Sequence, residues 1–221
     1  LETFPCFSAD GRWVYYCCAD TVALPENITQ LKYSLYRARF DENDGQLKGE
    51  PQTVWDASSR DASVCHPKCS PDGKWILYTV ADYGTFPIWH TECDLELMEL
   101  STGSTFSLDN VNSPSRSDTY HSWSSNSRWV VFASKRDDGQ YGRPYFFHID
   151  PDGKTTKPFV LPQKAPDFYD KYLLSLCILT SHPRYEILEL SVVACRSLDH
   201  VWIRRDERLG PGVHRRYHMG M

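Results

Sequence analysis

The sequence lacks the short motifs by which common enzyme active sites are recognised. The 221-residue chain contains no G-x-S-x-G nucleophile elbow, no H-E-x-x-H zinc motif, no P-loop and no G-x-G-x-x-G dinucleotide fingerprint. These absences count against a hydrolase, metalloprotease, nucleotide or dinucleotide site within the chain. We therefore predict no catalytic residues, no metal and no cofactor in this segment, and we do not expect it to be an enzyme.

Long apolar runs and an excess of positive charge are also missing. No apolar stretch approaches the roughly 20 residues that cross a membrane, so we expect no membrane insertion by this segment. The chain has 24 Lys and Arg against 29 Asp and Glu, and its formal net charge is -5. No basic stripe runs along it, which argues against nucleic acid as the main partner.

The eight cysteines form no C-x-x-C pair, which argues against a zinc ribbon, a thioredoxin-type motif or haem attachment. The segment 65–69, Cys-His-Pro-Lys-Cys, has no second ligand pair at a matching spacing. Cys17, Cys18 and Cys69 fall at strand or core positions of a repeated unit. We expect small hydrophobic thiols rather than metal ligands, and disulfide pairing stays open because it depends on the compartment.

What the sequence does contain is one turn that occurs three times. A Ser-x-Asp or Ser-x-Asn pair caps backbone N–H groups, and Gly11 and Gly73 supply the positive φ that a tight turn needs. Ser127 replaces glycine in the third copy, which predicts slight strain or another geometry. A basic residue, a tryptophan and a β-branched or aromatic run follow each turn, as in a strand. The copies are residues 7–16, 69–78 and 123–132.

Two further strand signals, separated by a polar turn, follow each of these hairpins. Four short antiparallel strands in units of about fifty to sixty residues are typical of propeller blades. We therefore predict an all-β fold, a partial β-propeller of about three four-stranded antiparallel blades. The blades occupy residues 1–175, with units near 4–56, 62–109 and 119–162.

Three blades do not close a ring, because propellers have about four to eight. We therefore expect further propeller blades N-terminal to Leu1, and two unpacked blade faces in a fragment limited to these residues. Residues 176–221 depart from the repeat pattern and are predicted to be an irregular, non-repeat C-terminal tail. The end of this tail, residues 204–221, is polar and is interrupted by Gly and Pro.

Two segments of the third unit carry a family pattern. Residues 132–139 read Phe-Ala-Ser-Lys-Arg-Asp-Asp-Gly, and residues 144–153 continue with Tyr145, Asp150 and Gly153. They resemble a blade of TolB-like β-propeller proteins, whose pattern runs Trp-Ser-x-Asp-Gly, Phe-x-Ser, Arg-Asp-Gly and Tyr-x-x-Asp-x-x-Gly. Segments 82–90 and 120–124 are similar to those of Bacteroidetes-type members. The resemblance implies a non-catalytic protein of the bacterial cell envelope, periplasmic or associated with the outer membrane, that binds other proteins.

The long connection from Ala81 to Cys93 holds the first group of candidate binding residues. Exposed aromatics beside charges, on a loop held by a rigid scaffold, are typical protein-binding anchors. The alternative is that the aromatic residues cover the blade edge and that the histidine only makes a hydrogen bond. The candidates are Asp82, Tyr83, Phe86, Trp89, His90 and Glu92.

Two smaller groups complete the candidate residues. Arg136, Asp137 and Asp138, followed by Arg143, form a charged turn that either holds itself together by Arg–carboxylate bonds or takes a ligand or cation. His66 and His121 lie on predicted first strands. Because the first strand of a blade lines the central channel of a propeller, we predict that both imidazoles face that channel.

Three functions compete at this stage. We favour a non-catalytic propeller that scaffolds protein–protein contacts in the bacterial cell envelope. The alternative is the propeller domain of a larger enzyme, such as a serine peptidase whose catalytic domain lies outside this segment. A third reading is a propeller that binds a small molecule or a cation at its channel face.

Overall fold

A computed structural model describes residues 1–84, 86–172, 175–178, 192–196 and 200–202. Within these ranges the chain is almost entirely β-strand and turn. Three four-stranded antiparallel sheets follow one another along the sequence, and each sheet pairs its strands in chain order. The predicted fold class, a partial β-propeller of three blades, is confirmed. No helix in the described part of the chain is long and apolar enough to span a membrane.

The blades have similar strand bounds. Blade 1 consists of β1 (Glu2–Phe7), β2 (Trp13–Cys18), β3 (Ser34–Asp41) and β4 (Gln46–Trp55). Blade 2 consists of β5 (Ser63–Cys69), β6 (Trp75–Ala81), β7 (Asp94–Glu99) and β8 (Thr105–Ser107). Blade 3 consists of β9 (Asp118–Trp123), β10 (Trp129–Ser134), β11 (Arg143–His148) and β12 (Phe159–Val160). Two four-residue helices, α1 (Ala57–Arg60) and α2 (Phe168–Lys171), lie outside the sheets.

The repeated turn has the same hydrogen bonds in all three blades. In blade 2 the Ser70 hydroxyl donates to Asp72 Oδ1 (2.6 Å) and accepts from the backbone N–H of Trp75 (2.9 Å). Blades 1 and 3 repeat this pair of bonds around Ser8 and Ser124. The side chain thus replaces backbone partners inside the turn, as the Ser-x-Asp pattern predicts.

The first strand of each blade carries a bulge that also repeats. Phe4, His66 and Tyr120 each lie nine positions before the repeated tryptophan, and their φ values are 53°, 52° and 49°. The strand pairing shifts register at all three places, as expected where an extra residue is inserted into one strand. The three rings contact one another in a row, tilted for Phe4–His66 (centroids 4.1 Å apart) and edge-to-face for His66–Tyr120 (5.0 Å).

Two hydrophobic cores lie between neighbouring blades, and β6 contributes to both. Ile76 and Tyr78 pack with residues of blade 1, while Trp75 and Leu77 pack with residues of blade 3. Successive side chains of a strand point to opposite faces of the sheet, so a blade covered on both faces buries every one of them. This explains why β6 is a continuous apolar run rather than an alternating one.

The segment after the blades differs in part from the predicted irregular tail. Within the described residues it forms a three-stranded antiparallel sheet of β13 (Ser175–Ile178), β14 (Val192–Arg196) and β15 (His200–Trp202). The Ser175 hydroxyl accepts a hydrogen bond from the Gly142 backbone N–H (3.0 Å), which ties the start of this sheet to blade 3. The polar end predicted at 204–221 lies outside the described residues.

Candidate functional site

The 81–93 loop, which joins β6 to β7, is fixed to the neighbouring blades. The Gly84 N–H donates to the Leu31 carbonyl in the β2–β3 connection (2.8 Å). The Ser117 hydroxyl, just before β9, donates to the Pro87 carbonyl (2.8 Å). The loop backbone therefore has partners in both blade 1 and the start of blade 3, which fixes the position of the side chains that it carries.

Two large aromatic side chains of this loop point into solvent. Phe86 and Trp89 are each 68% exposed. The Nζ atom of Lys135, at the end of β10, lies 4.3 Å from the centroid of the Trp89 ring, in the geometry of a cation–π contact. Both aromatic side chains thus keep most of their surface in solvent.

The polar residues of the loop bind mainly one another. His90 Nδ1 lies 2.8 Å from Glu92 Oε1, and the edge of the Tyr83 ring contacts His90 with centroids 4.6 Å apart. Burial acts to raise the pKa of Glu92, but hydrogen bonds from its own backbone N–H and from His90 outweigh this effect and lower it. Tyr83, His90 and Glu92 thus form a small network that holds the loop.

A cleft of about 290 Å³ opens beside Trp89. The Arg116 guanidinium lies across Gly139, since a Cβ added to that glycine would be 2.9 Å from Arg116 Nε. None of the lining residues, all in the described part of the chain, carries a carboxylate, so the cleft is cationic in a protein of net charge -5. Its charged and aromatic walls are Trp89, His90, Arg116 and Lys135. We call it the cationic cleft.

A second cleft, of about 180 Å³, is acidic and is lined by Asp82, Glu92, Asp94 and Glu96. Burial, together with repulsion from Asp118 and other carboxylates, raises the pKa of Asp94 to about 6. Glu96 is already engaged, because Arg60 Nη1 donates to both of its carboxylate oxygens and the Tyr78 hydroxyl donates to Oε2. No group of three or more metal-ligating side chains among the described residues has the arrangement of a metal site.

The charged side chains of the turn after β10 make hydrogen bonds and ion pairs within the chain. Arg136 Nη2 donates to the fully buried carboxylate of Asp118 (2.9 Å). Arg143 is only 5% exposed, and its Nη2 donates to Asp138 Oδ2 (2.7 Å). Asp137 accepts from the Tyr145 hydroxyl (2.6 Å). These side chains of the turn thus bond to partners within the protein.

The predicted channel histidines do not lie in equivalent places, although they are on neighbouring first strands. His66 is half-buried at the bulge of β5, in the row formed with Phe4 and Tyr120. His121 is only 2% exposed, and its Nε2 lies 2.9 Å from the Leu77 carbonyl, so the prediction that it faces an open channel is corrected. Burial lowers the pKa of His66 to about 4 and that of His121 to about 3.

Two residues of the cationic cleft, Arg116 and Lys135, were not among the sequence candidates. Arg116 lies in the connection between blades, where no motif or spacing marks it. Lys135 falls within the segment that resembles TolB-like blades, directly before the charged turn. The sequence pattern instead indicates its neighbour Arg136 as a candidate binding residue. Only the packing of blade 3 against the 81–93 loop brings these two cations to Trp89.

Comparison with solved structures supports the fold class. A puromycin hydrolase matches with a TM-score of 0.52 at 15% identity, over 88% of this chain and 25% of that chain. A puromycin hydrolase S511A mutant complexed with PGG matches at 0.50 and 16% over the same shares. The periplasmic gluconolactonase PpgL of Pseudomonas aeruginosa matches at 0.47 and 11%, over 79% of this chain and 45% of that one.

The two puromycin hydrolase matches support the class of the fold, a partial β-propeller like the propeller domains of those proteins. At such low identity the likeness shows the fold alone. The chain spans about a quarter of the length of the puromycin hydrolases that it matches. No protein-family model and no curated protein matches the chain, so the finer resemblance to TolB-like proteins is not confirmed.

Proposed function

We propose that this segment is a non-catalytic propeller module that binds an acidic segment of another protein at the cationic cleft. The observation that carries the proposal is the exposure of Trp89, which is 68% accessible on a loop that is hydrogen-bonded to its neighbours. A large aromatic on a fixed loop loses little conformational entropy on binding and supplies much contact area. Such residues dominate protein interfaces.

The charges around Trp89 define the chemistry of the partner. The Arg116 guanidinium presents a planar fork that suits carboxylates, and Lys135 adds a second positive charge beside the ring. A partner with carboxylates next to an apolar or aromatic side chain would pair with the exposed Arg116 and stack on Trp89, while the buried Lys135 adds to the positive field of the site. The acidic cleft, to which Asp82 and Glu92 of the same loop contribute, would repel a uniformly acidic surface, and this favours a short segment over a broad acidic face.

Binding of an acidic aromatic peptide to the full-length protein tests this function. The probe is an acetylated peptide, Glu-Phe-Glu-Glu, measured by calorimetry at low and high salt, with Lys-Phe-Lys-Lys as the charge-reversed control. We expect binding of the acidic peptide alone, and weaker binding at high salt. Arg116→Ala should lower affinity about ten- to hundredfold, because a charged hydrogen bond contributes roughly 1.5–3 kcal/mol.

Matched variants separate the cleft from the general surface. Trp89→Ala should abolish measurable binding, whereas Trp129→Ala removes a tryptophan that is 38% exposed on β10 and should not change it. Arg12→Ala removes a well-exposed arginine of blade 1 and serves as the control for Arg116→Ala. Equal binding by all four variants, or equal binding of both peptides, would exclude the cleft as the binding site.

A second candidate function is the propeller part of a larger peptidase. It is favoured by the match to about a quarter of each puromycin hydrolase, which leaves room for a further domain in such an architecture. In that case the catalytic serine lies in polypeptide outside these residues. Labelling of the full-length gene product by a fluorophosphonate probe would support the peptidase, and the absence of labelling together with an adjoining sequence free of G-x-S-x-G would exclude it.

The cellular location is part of the same proposal. Resemblance to TolB-like blades supports a place in the bacterial cell envelope, in the periplasm or at the outer membrane. Fractionation of cells that express the full-length gene tests this directly. Recovery in the periplasmic or outer-membrane fraction would support an envelope role, and recovery with a cytoplasmic marker would exclude it.

A further inference from the structure

Two cysteines meet at the seam between blades 1 and 2, where β1 lies beside β5. Cys6 is the penultimate residue of β1 and Cys69 is the last residue of β5. The backbone N–H of Cys69 donates to Cys6 Sγ at 3.3 Å, so the two cysteines are in direct contact across the seam. Both residues are half-buried rather than enclosed in the core.

The seam between blades 2 and 3 is fastened at the corresponding place. In the register of the repeat, Cys6 corresponds to Lys68 and Cys69 corresponds to Trp123. The Trp123 Nε1–H donates to the Lys68 carbonyl at 2.9 Å. At both seams, therefore, the last residue of a blade's first strand contacts the penultimate residue of the first strand in the preceding blade. At the first seam both residues of this contact are thiols.

The environment makes Cys6 the reactive partner of the pair. The Cys69 thiol donates a hydrogen bond that lowers the pKa of Cys6 to about 7, against the opposing effect of burial, and the Cys69 N–H and Lys68 act in the same direction. The pKa of Cys69 is raised, because its proton is held in that bond. By contrast, burial raises the pKa of Cys65 to about 12, and burial also raises the pKa of Cys17. Thiolate is the nucleophilic form of cysteine.

We propose that Cys6 and Cys69 are a redox-sensitive pair that forms a disulfide and thereby joins blade 1 to blade 2. The oxidant is a small disulfide such as oxidised glutathione. The Cys6 thiolate attacks one sulfur, forms a mixed disulfide and releases one glutathione thiolate. Cys69 then loses its proton and attacks the Cys6 sulfur, which forms the inter-blade bond and releases the second glutathione. Two protein thiols and one disulfide become one protein disulfide and two small thiols.

The bond would fix the two innermost strands at one end of the seam. It would close a loop that contains β2, β3 and β4 of blade 1, and long loops gain most from such a constraint on the unfolded chain. The reduced seam keeps only non-covalent contacts at this point. Oxidation would therefore increase the resistance of the seam between blades 1 and 2 to opening, without involving the cationic cleft, which lies between blade 2 and blade 3.

Peptide mapping of the full-length protein tests the pair without any mutation. The protein is incubated with oxidised glutathione at pH 7.5, alkylated and digested with trypsin, which cuts after Arg12, Lys68 and Lys74. Because Lys68 separates Cys65 from Cys69, the expected product is a linked pair in which a peptide that ends at Arg12 is joined to peptide 69–74. Its mass should be lower than the sum of the two peptides by two hydrogens, and dithiothreitol should release both.

Variants and heat unfolding give a second readout. Oxidation should raise the melting temperature of the wild type by roughly 5–10 °C. Neither Cys6→Ser nor Cys69→Ser should show this rise, while Cys18→Ser, which removes a half-buried thiol in the adjacent strand β2, should behave as wild type. Alkylation of Cys6 should reach half its maximal rate near pH 7, and Cys69→Ser should move that midpoint. Glutathione retained on Cys6 without closure, or crosslinks among other cysteines, would overturn the proposal.

Discussion

The hydroxyl of Ser127 accepts a hydrogen bond from the backbone N–H of Asp72 at 2.9 Å, so the repeated turn of blade 3 is tied to the repeated turn of blade 2. Ser127 has a φ of 58° and is 1% exposed. Gly11 and Gly73 hold the equivalent positions in the other two blades. The turn of blade 3 therefore keeps the left-handed backbone geometry, although a non-glycine residue adopts it at a cost of roughly 1–2 kcal/mol. The Ser127 side chain, which glycine lacks, links blade 3 to blade 2.

This relationship predicts an order among substitutions at one site. Ser127→Ala loses the acceptor and keeps the backbone strain, so unfolding free energy should fall by about 1–3 kcal/mol. Ser127→Gly loses the same bond but relieves the strain, so it should be about 1 kcal/mol more stable than the alanine variant. Urea denaturation measures both. Ser125→Ala, at an exposed position of the same turn, should match wild type, and an alanine variant as stable as glycine would contradict the assignment.

Gly153 and Gly103 offer a second matched pair. Both glycines have positive φ in β-turns, at 83° and 73°. A Cβ at Gly153 would lie 2.8 Å from Cη2 of Trp75, whereas a Cβ at Gly103 would have nothing within 4 Å. Gly103→Ala should lose about 1 kcal/mol from its backbone alone. Gly153→Ala should lose an additional ~1–3 kcal/mol, because the buried Trp75 would have to move. If thermal denaturation showed the same loss of stability for both variants, Gly153 would not be packed against Trp75.

The bulge row predicts how the protein responds to acid. Burial lowers the pKa of His66 in the folded state to about 4, below its ordinary value of 6.5. The unfolded chain therefore binds more protons, so the stability contributed by the neutral imidazole is present above about pH 6.5 and is lost as pH falls towards 4. His66→Phe places at this bulge the residue that Phe4 supplies in blade 1. The variant should fold. Between pH 7 and pH 5 it should lose roughly 1–2 kcal/mol less unfolding free energy than wild type loses.

The measurement is unfolding free energy at several pH values, compared between variants. His148→Phe is the control, because His148 is half-buried at the end of β11, away from the bulge row. Its stability should fall with acid as steeply as that of wild type. If His66→Phe had the same slope as well, the row would not be an acid-sensitive element.

The Arg136–Asp118 pair predicts a large effect of removing one charge. Asp118 is 0% exposed, and burial raises its pKa although Arg136 opposes this. Arg136→Met would leave a buried carboxylate without its cation, which should destabilise the fold by roughly 3–5 kcal/mol. Adding Asp118→Asn should recover part of that loss. Arg12→Met, which removes a partner of the exposed Asp10, should leave the denaturation midpoint nearly unchanged.

The sequence by itself determined the blade. The Ser-x-Asp turn, the following tryptophan strand and the spacing of the copies are local features, and the bonds that hold each turn join residues no more than five positions apart. Local chemistry of this kind is readable without knowledge of the rest of the chain. This is why the fold class and the strand order within each blade could be predicted.

Only the tertiary structure decided which side chains meet between blades. Arg116, Lys135 and Trp89 form the cationic cleft from three separate connections, and Cys6 meets Cys69 across 63 positions of sequence. His66 and His121 had the same apparent standing in the sequence, yet one lies in the row of bulge residues and the other is buried. Strand side chains alternate between faces, so a shift of one residue changes the neighbours completely. The packing of one blade on the next sets those neighbours, and no local pattern encodes it.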